Sequence, residues 1–351
     1  MVSKHNTYNE IKSSPVVWEK TLNTFLEGKP ALAAFLENAA YDQVLFTGCG
    51  STHYLSKTAA FLFQTTTQHI SLALPSSEIW VYPEHVLKSG GKKLLVAISR
   101  SAETTETIEA VRTFRKHCQG KVLVITNYPE RALAQLADFL LAAPEGHEQS
   151  VAQTRSFSSM LLLAQLLAAA AAGFDIPESA RKLPEYCQAV FEKQETGMRS
   201  LGEDSSLENF YFLGGGPLYG IASEAMLKMK EMSLSNSEAF HPLEFRHGPM
   251  SMVDQRALVI SLLSKKGFSQ EQAVSSEMAS LNGKVLAIGT RALPAEHPAA
   301  ENQILLPGDL PDWLVPLLYL PPLQLLAYYR AVYRGQNPDR PSNLEAVVRL
   351  D

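Results

Sequence analysis

The stretch AISRSAETTETI, residues 97–108, sets five hydroxyl side chains, Ser99, Ser101, Thr104, Thr105 and Thr107, directly behind the apolar run at 94–98. A turn after that run, followed by the helix-like AETTETIEAVRTFRKH, brings Ser99, Ser101 and Thr104 to a helix N-terminus, where N–H groups and the helix dipole attract an anion. Hydroxyls there add donors without adding charge. A plain N-cap at Ser101, with Thr104 or Thr105 as an imperfect capping-box partner, needs one hydroxyl; a cluster fits phosphate better. A second turn, TGCGSTH at 47–53, has glycines that let the backbone approach a ligand, with Ser51 and Thr52 as further donors. It lacks the full GxGxxG spacing and the acidic residue of a dinucleotide site. Cys49 within it reads as a small packing residue, since no His–Cys arrangement is legible.

Residues able to move a proton lie further along. In LKMKEMSLSNSEAFHPLEFRHGPMSMVD, 227–254, Lys228 and Glu231 share one helical face with Glu224, a pattern that by itself describes a solvated face with ion pairs. EFRHGP then crowds a carboxylate, two basic side chains and a Gly-Pro turn into six positions, soon after Glu238. His247 is its sharpest candidate, because histidine titrates near neutral pH and can carry a proton to or from a ligand oxygen. In GHEQSVAQTRSFSS, 146–159, Glu148, Ser150, Thr154 and Ser156 are caps or ligands, and the sequence favours caps.

The scaffold for these residues is written twice. VLFTGCGSTHYLSKTAAFLF (44–63) parallels FYFLGGGPLYGIASEAMLKM (210–229), each an apolar strand running into a Gly-rich turn and then a helix-period segment. SSEIW answers PLEFR, LLVAIS answers ALVISL, KVLVITN answers KVLAIGT and DFLLAAPE answers NQILLPGD, in the same order. Short, continuously apolar strands separated by helical stretches mark parallel strands buried on both faces. The fold class is therefore α/β, two doubly wound domains with ligands beyond the carboxyl ends of the strands. SLLSKKGFSQEQ, the second copy's counterpart of the hydroxyl stretch, lacks the cluster, so the first copy alone is expected to hold phosphate. The expected boundaries are an N-terminal helical arm at 1–30, domains at 31–185 and 186–335, and a tail without strand pattern at 336–351. Residues 175–205 read as a charged helical linker.

Composition narrows the class. A chain of 351 residues, 46% hydrophobic and 19% charged, suits two globular domains. Lys plus Arg number 31 against 36 Asp plus Glu, a balance of -5 with no basic blocks, which disfavours nucleic acid. Cys49, Cys118 and Cys187 have neither CxxC nor zinc spacing and fit a reducing cytoplasm without disulfides. No His-x-His or HExxH cluster is present, so neither metal nor other cofactor is expected. The start, MVSKHNTYNEIKSSP, has no apolar h-region and is not expected to be a signal peptide. SFSSMLLLAQLLAAAAAGF, 156–174, has membrane-spanning length and no charge, but its alanines, serines and glutamine point to a buried core helix and no membrane.

In their order along the chain, GCGST, AISRSAETTETI, SVAQTRSF, FLGGGPLYGIASEAMLKMKE and EAFHPLEFRHGP resemble the tandem sugar-isomerase (SIS) domain family. That family includes the isomerase half of glucosamine-6-phosphate synthase and the galactosamine-6-phosphate deaminase/isomerases, also called tagatose-6-phosphate ketose/aldose isomerases. The resemblance covers almost the whole chain and implies two SIS domains, each a parallel five-stranded sheet in an αβα sandwich. It implies that Ser99, Arg100, Ser101 and Thr104 hold a sugar phosphate, with Ser51 and Thr52 beside it. Cys49, Gly50, Val151, Ala152 and Thr154 would line the sugar. Glu231 would shuttle a proton between C1 and C2 through an enediol or enolamine, with Lys228 its neighbour on the same helix turn and His247 the ring-opening acid/base. In synthase-like relatives that histidine reaches the other subunit's site, so a homodimer with shared active sites is implied.

Two departures qualify the resemblance. The chain begins without an amidotransferase segment and has no Cys at position 2, so it is not expected to draw ammonia from glutamine as the synthase does. NPDRPSNLEAVVRLD follows the synthase tail, yet Ala346 stands where that enzyme keeps its Schiff-base lysine, and Arg340 and Arg349 nearby cannot form a Schiff base at ordinary pH. FRHGPMSMVD and VVRL look like the deaminase/isomerase branch, in which that lysine is also missing.

The expectation is a cytoplasmic aldose–ketose isomerase, with or without deamination, acting on a hexose or hexosamine 6-phosphate, a small molecule, without metal or cofactor. A deglycase of 6-phosphorylated sugar–amino acid adducts would use the same proton shift. A non-catalytic phosphosugar sensor would call for an added DNA-binding segment or loss of the Glu/His pair, and the chain has neither. Gluco or galacto configuration, and amino or hydroxyl at C2, stay open.

Overall fold

A computed structural model describes residues 5–88, 90–345 and 347. They divide into two compact units that interleave along the chain. The first domain comprises Ser13–Gln149 and Gln153–Pro184, with residues 345 and 347, and the second comprises residues 5–12, Ser150–Ala152 and Glu185–Leu344. In chain order the helices up to the first domain's end are α1 (Asn6–Lys12), α2 (Ser14–Ala39), α3 (Ser51–Thr67), α4 (Ser76–Val81), α5 (Pro83–Leu87), α6 (Thr105–His117) and α7 (Arg155–Ala171). All but α1 belong to the first domain.

That domain's described strands, β1 (Gln43–Gly48), β2 (Ile70–Pro75), β3 (Lys93–Ser99), β4 (Lys121–Thr126) and β5 (Phe139–Ala142), form one parallel sheet in the order β2-β1-β3-β4-β5. Every residue of β3 is buried, as a strand covered on both faces must be. Leu45, Leu95, Val111, Phe114 and Val124 pack together on one side. Each such side chain contributes about 1.5–3 kcal/mol by leaving water. β1 and β3 pair directly, Thr47 opposite Ala97, so the Gly-rich turn and the hydroxyl stretch leave the sheet side by side at its carboxyl edge.

The arm expected at 1–30 is replaced by two helices with different allegiances. α2 runs on to Ala39 and buries Val17, Trp18, Leu22, Phe25, Leu32 and Leu36, too much apolar surface for a projecting arm. Trp18 Nε1 donates to Ser158 Oγ at 2.8 Å, within α7. α7 is the apolar stretch of near-membrane length, and it is buried throughout residues 156–169, with Ser159 accepting from Asn127 at 3.0 Å. No helix among the described residues is long and apolar enough to cross a membrane.

The second domain repeats the plan. It adds α8 (Leu183–Gly202), β6 (Asn209–Gly214), α9 (Leu218–Ser233), β7 (Asn236–Phe240), α10 (Pro242–Phe245), β8 (Ala257–Leu263), α11 (Phe268–Ser280), β9 (Lys284–Gly289), β10 (Gln303–Leu305) and α12 (Leu320–Tyr333). The sheet order β10-β9-β8-β6-β7 is the first domain's order read from the other end, so β6 and β8 correspond to β1 and β3. Over its second-domain residues, α8 packs rather than links, burying Cys187, Val190, Phe191 and Met198. Residues 5–12 are fastened to this domain. Asp339 accepts from the N–H groups of Asn6 (2.9 Å) and Thr7 (2.8 Å), and Glu195 accepts from Tyr8 (2.5 Å), Lys12 (2.9 Å) and Tyr329 (2.6 Å).

Candidate active site

In the first domain the turn after β1 depends on glycine twice. A Cβ at Gly48 would stand 2.5 Å from Thr52 Oγ1, and Gly50 has φ +54°, where other residues are strained. Thr52 closes the turn by accepting the Cys49 N–H and donating to the Cys49 carbonyl, both at 2.9 Å. Its hydroxyl is thus spent locally. Ser51 is buried at the start of α3. Burial pushes the Cys49 thiol up, its sulfur 3.5 Å from Thr107 Oγ1, which suits a packing residue better than a nucleophile. Burial and the ammonium of Lys57 push His53 down to about 4, so it is neutral at pH 7 and brings no charge to an anion.

Beside this turn, Ser99 Oγ accepts the Ala102 N–H at 3.1 Å and Ser101 Oγ accepts the Glu103 N–H at 3.2 Å. Each oxygen is fixed by a backbone donor, so a hydroxyl proton is not needed to hold the loop and can serve an anion. Thr104, at the N-cap of α6, lies 3.4 Å from Ser101 through the hydroxyl oxygens. Ala102 sits at φ +52°, an uncommon conformation for a residue with a Cβ.

Arg100 belongs to a second arrangement. Its guanidinium stands 3.7 Å from Glu148, the two side chains only 8% and 0% exposed. The Glu148 carboxylate also accepts from the N–H (2.7 Å) and hydroxyl (2.6 Å) of Thr154 and from the N–H (3.2 Å) and hydroxyl of Ser156, at the start of α7. Glu148 therefore caps α7 from outside the helix, while Thr154, at the N-cap position, makes no capping bond with its own side chain. Thr154, expected to line the sugar, is fully buried with its hydroxyl turned to Glu148, and Arg100 is part of a charge-balanced pair rather than a bare cation. Nothing in the spacing of Arg100 and Glu148 announces this pairing, which joins two loops far apart in sequence.

In the second domain the charged face of α9, which its spacing alone described as solvated, is buried at Lys228 and Glu224. Lys228, 1% exposed, is bracketed on one helix face by Glu224 at 3.5 Å and by Glu231, to which its ammonium donates. An ammonium so deeply buried is tolerated only with charge partners. Glu231 keeps 16% of its side chain exposed. The arrangement is an accessible carboxylate, able to take and return a proton, against a fixed positive charge able to stabilise an oxyanion.

His247 lies on a different element. It follows α10, is exposed, and donates its N–H to the Glu244 carbonyl at 3.0 Å. With Arg246, Met250, Glu277, Ser280 and Leu281 it lines a groove of about 470 Å³, where Arg246 pairs with Glu277 at 2.8 Å. Those contacts join the 241–252 segment to α11 and do not bring His247 to Lys228 or Glu231. The Val151 N–H donates to the Asp339 carbonyl at 3.0 Å, which ties the Val151–Ala152 segment to the second domain. Ala346 and Arg349 lie outside the described residues. Among the described residues no group of His, Cys, Asp and Glu is arranged to hold a metal ion.

The family model of the SIS domain matches residues 39–170 and again residues 205–333. The chain belongs to the SIS domain family. Relatives of this tandem SIS chain include the glutamine–fructose-6-phosphate aminotransferases (isomerizing) of Methanothermobacter thermautotrophicus, 28% identical over 353 residues, and of Thermus thermophilus, 30% identical over 362. Both matches take in 99% of this chain but only 58% and 59% of the relative, so the chain spans under two thirds of the length of these relatives. Among solved structures, glucosamine-6-phosphate deaminase from Thermotoga maritima superposes with a TM-score of 0.82 at 29% identity, over 98% of this chain and 100% of that one. Tagatose-6-phosphate ketose/aldose isomerase from Escherichia coli reaches 0.87 at 23% identity, covering 99% and 96%, a likeness of fold.

Proposed function

We propose that this tandem SIS protein is an enzyme, a phosphosugar isomerase that moves a proton between C1 and C2 of a hexose or hexosamine 6-phosphate; where C2 carries an amine, the shift leaves a C2 iminium that water hydrolyses to the ketose, releasing ammonia. The observation that carries the reading is the α9 pairing: an accessible Glu231 held by the buried ammonium of Lys228. Glu231 takes the proton from the carbon next to the carbonyl, the electron pair enters the C1–C2 bond as an enediol or enolamine, and the same carboxylate returns the proton to the neighbouring carbon. The Lys228 ammonium stabilises the oxyanion formed in between. Ser99, Ser101 and Thr104 hold the phosphate with Ser51 at their side, and Arg100 contributes by fixing the loop. A phosphate remote from the reacting carbons supplies binding energy that orients them.

His247 is proposed as the acid/base that opens the sugar ring, and the protein as a cytoplasmic homodimer. The names of the relatives support the substrate class, since the aminotransferases and the 29% identical deaminase are all named for hexose or hexosamine 6-phosphates. The deciding experiment measures ketose formation and ammonia release from glucosamine 6-phosphate and galactosamine 6-phosphate, with Glu231→Gln as control. Ketose or ammonia lost by about 10²–10⁴-fold in the variant is the expected result. Binding of both sugars without turnover would overturn the isomerase reading in favour of a sensor or a deglycase.

A further inference from the structure

In the second domain the crevice beyond β6 and β8 is filled from within. Leaving β8, Ser264 donates its backbone N–H to Glu271 Oε2 at 2.6 Å, and its hydroxyl lies 3.0 and 3.1 Å from the two carboxylate oxygens. Glu271 is 6% exposed. Its Oε1 lies 2.9 Å from where a Cβ on Gly215 would stand and 2.7 Å from one on Gly267, so the turn after β6 and the loop after β8 both leave side-chain space to this carboxylate. Those are the counterparts of the turn after β1 and the loop after β3, which hold the hydroxyl cluster in the first domain. There, the first turn of α6 sends an uncharged hydroxyl inward, Thr107 Oγ1, 3.5 Å from Cys49 and 3.2 Å from Ser76.

We propose that Glu271 is a built-in anion occupying the second domain's equivalent of the phosphate crevice, and that it restricts the chain to one phosphate, in the first domain. The carboxylate is held as a bound anion would be, by a backbone N–H and a hydroxyl. Burial holds its pKa above the ordinary carboxylate value, and the Ser264 donors offset part of that rise by binding the ionised form. A dianionic phosphate monoester presented to this crevice would meet a fixed negative charge in the space it needs.

The inference rests on the proposed function only for the count in the first domain, and equilibrium dialysis of the full chain against inorganic phosphate separates the two. Wild type is expected to bind one phosphate per chain, and Glu271→Ser and Glu271→Ala two, the second more weakly, with phosphate raising the melting temperature of the variants more than that of wild type. One phosphate in wild type and one in folded variants would overturn the inference and leave the first-domain site standing. None in wild type but one in the variants would support the inference and sink the first-domain site, whereas none in either would sink both. Should the variants fail to fold, wild-type crystals soaked in tungstate decide the matter: anion density in the first domain alone is expected, and density beside Ser264 would overturn the assignment.

Discussion

Lys228 and Glu231 lie one helical turn apart, and what each does alone cannot be separated from the other. Replacing Lys228 with Met leaves Glu224 and Glu231 close to one another without the cation between them, while Glu231→Gln removes one of the two carboxylates that flank the ammonium. If the two act as one catalytic unit, each single variant lowers kcat by about 10²–10⁴-fold and the double variant falls little further, as groups acting together are non-additive. Losses that multiply would show independent roles and count against the proton-transfer assignment. The ion pairing was legible because i, i+3 and i+4 spacing on a helix is a local property of the chain, but the burial of Lys228 and Glu224, against the solvated face that spacing described, was not. The Glu148–Arg100 pair and the Glu271–Ser264 contact were not. Each is made where loops and helix ends meet beyond a sheet edge, and the sequence records the residues but not their meeting.

At the scale of elements, the tandem repeat was readable because parallel strands buried on both faces leave continuous apolar runs, and two such series in one order fix two like sheets. The allegiance of the terminal helices was not, since α1 and α2 both read as helix and only packing separates them. Residues 5–12 are held by a carboxylate clasp. Although burial raises it, Glu195 is held below the ordinary carboxylate range by donors from Lys12, Tyr329 and Tyr8. The contribution of a group so shifted is present above the ordinary carboxylate pKa and is lost as pH falls through the lowered value. On the alkaline side, burial and the Glu195 carboxylate push Tyr8 up to about 12 and raise Tyr329 as well, so their share persists to about pH 10 and fades above it. Glu195→Gln is therefore expected to lower the melting temperature by about 2–4 °C, from roughly 1 kcal/mol of charge-assisted hydrogen bonding in a partly exposed site. The difference from wild type should hold from about pH 6 to 9 and shrink below pH 4, where Glu195 takes up its proton. A gap that persists undiminished at pH 3 would show that charge on Glu195 is not what fastens α1.

For the whole molecule, the proposed homodimer makes a prediction about which chain completes a site. His247 is exposed beside Arg246 and Glu277, and its surroundings carry apolar side chains left to solvent, Leu243 at 47%, Met252 at 64% and Leu281 at 37% exposure. Apolar groups gathered at the rim of an open groove are what a protein–protein contact would cover. The proposed homodimer would use this face, and a histidine lent to a second copy would then act on a Glu231 that is not its own. Mixing Glu231→Gln with His247→Ala subunits, each inactive alone, tests this directly. If sites are shared, a mixed dimer contains one site with both groups intact, and statistical reassortment places half of the chains in mixed dimers, so about a quarter of wild-type activity returns. If each chain works alone, every site lacks one group and the mixture stays as inactive as its parts. Charge substitution at the rim, Met252→Glu, gives the physical counterpart: under the shared-site reading it lowers both the dimer fraction and the specific activity at low protein concentration, and recovery of activity as concentration rises ties the two effects together.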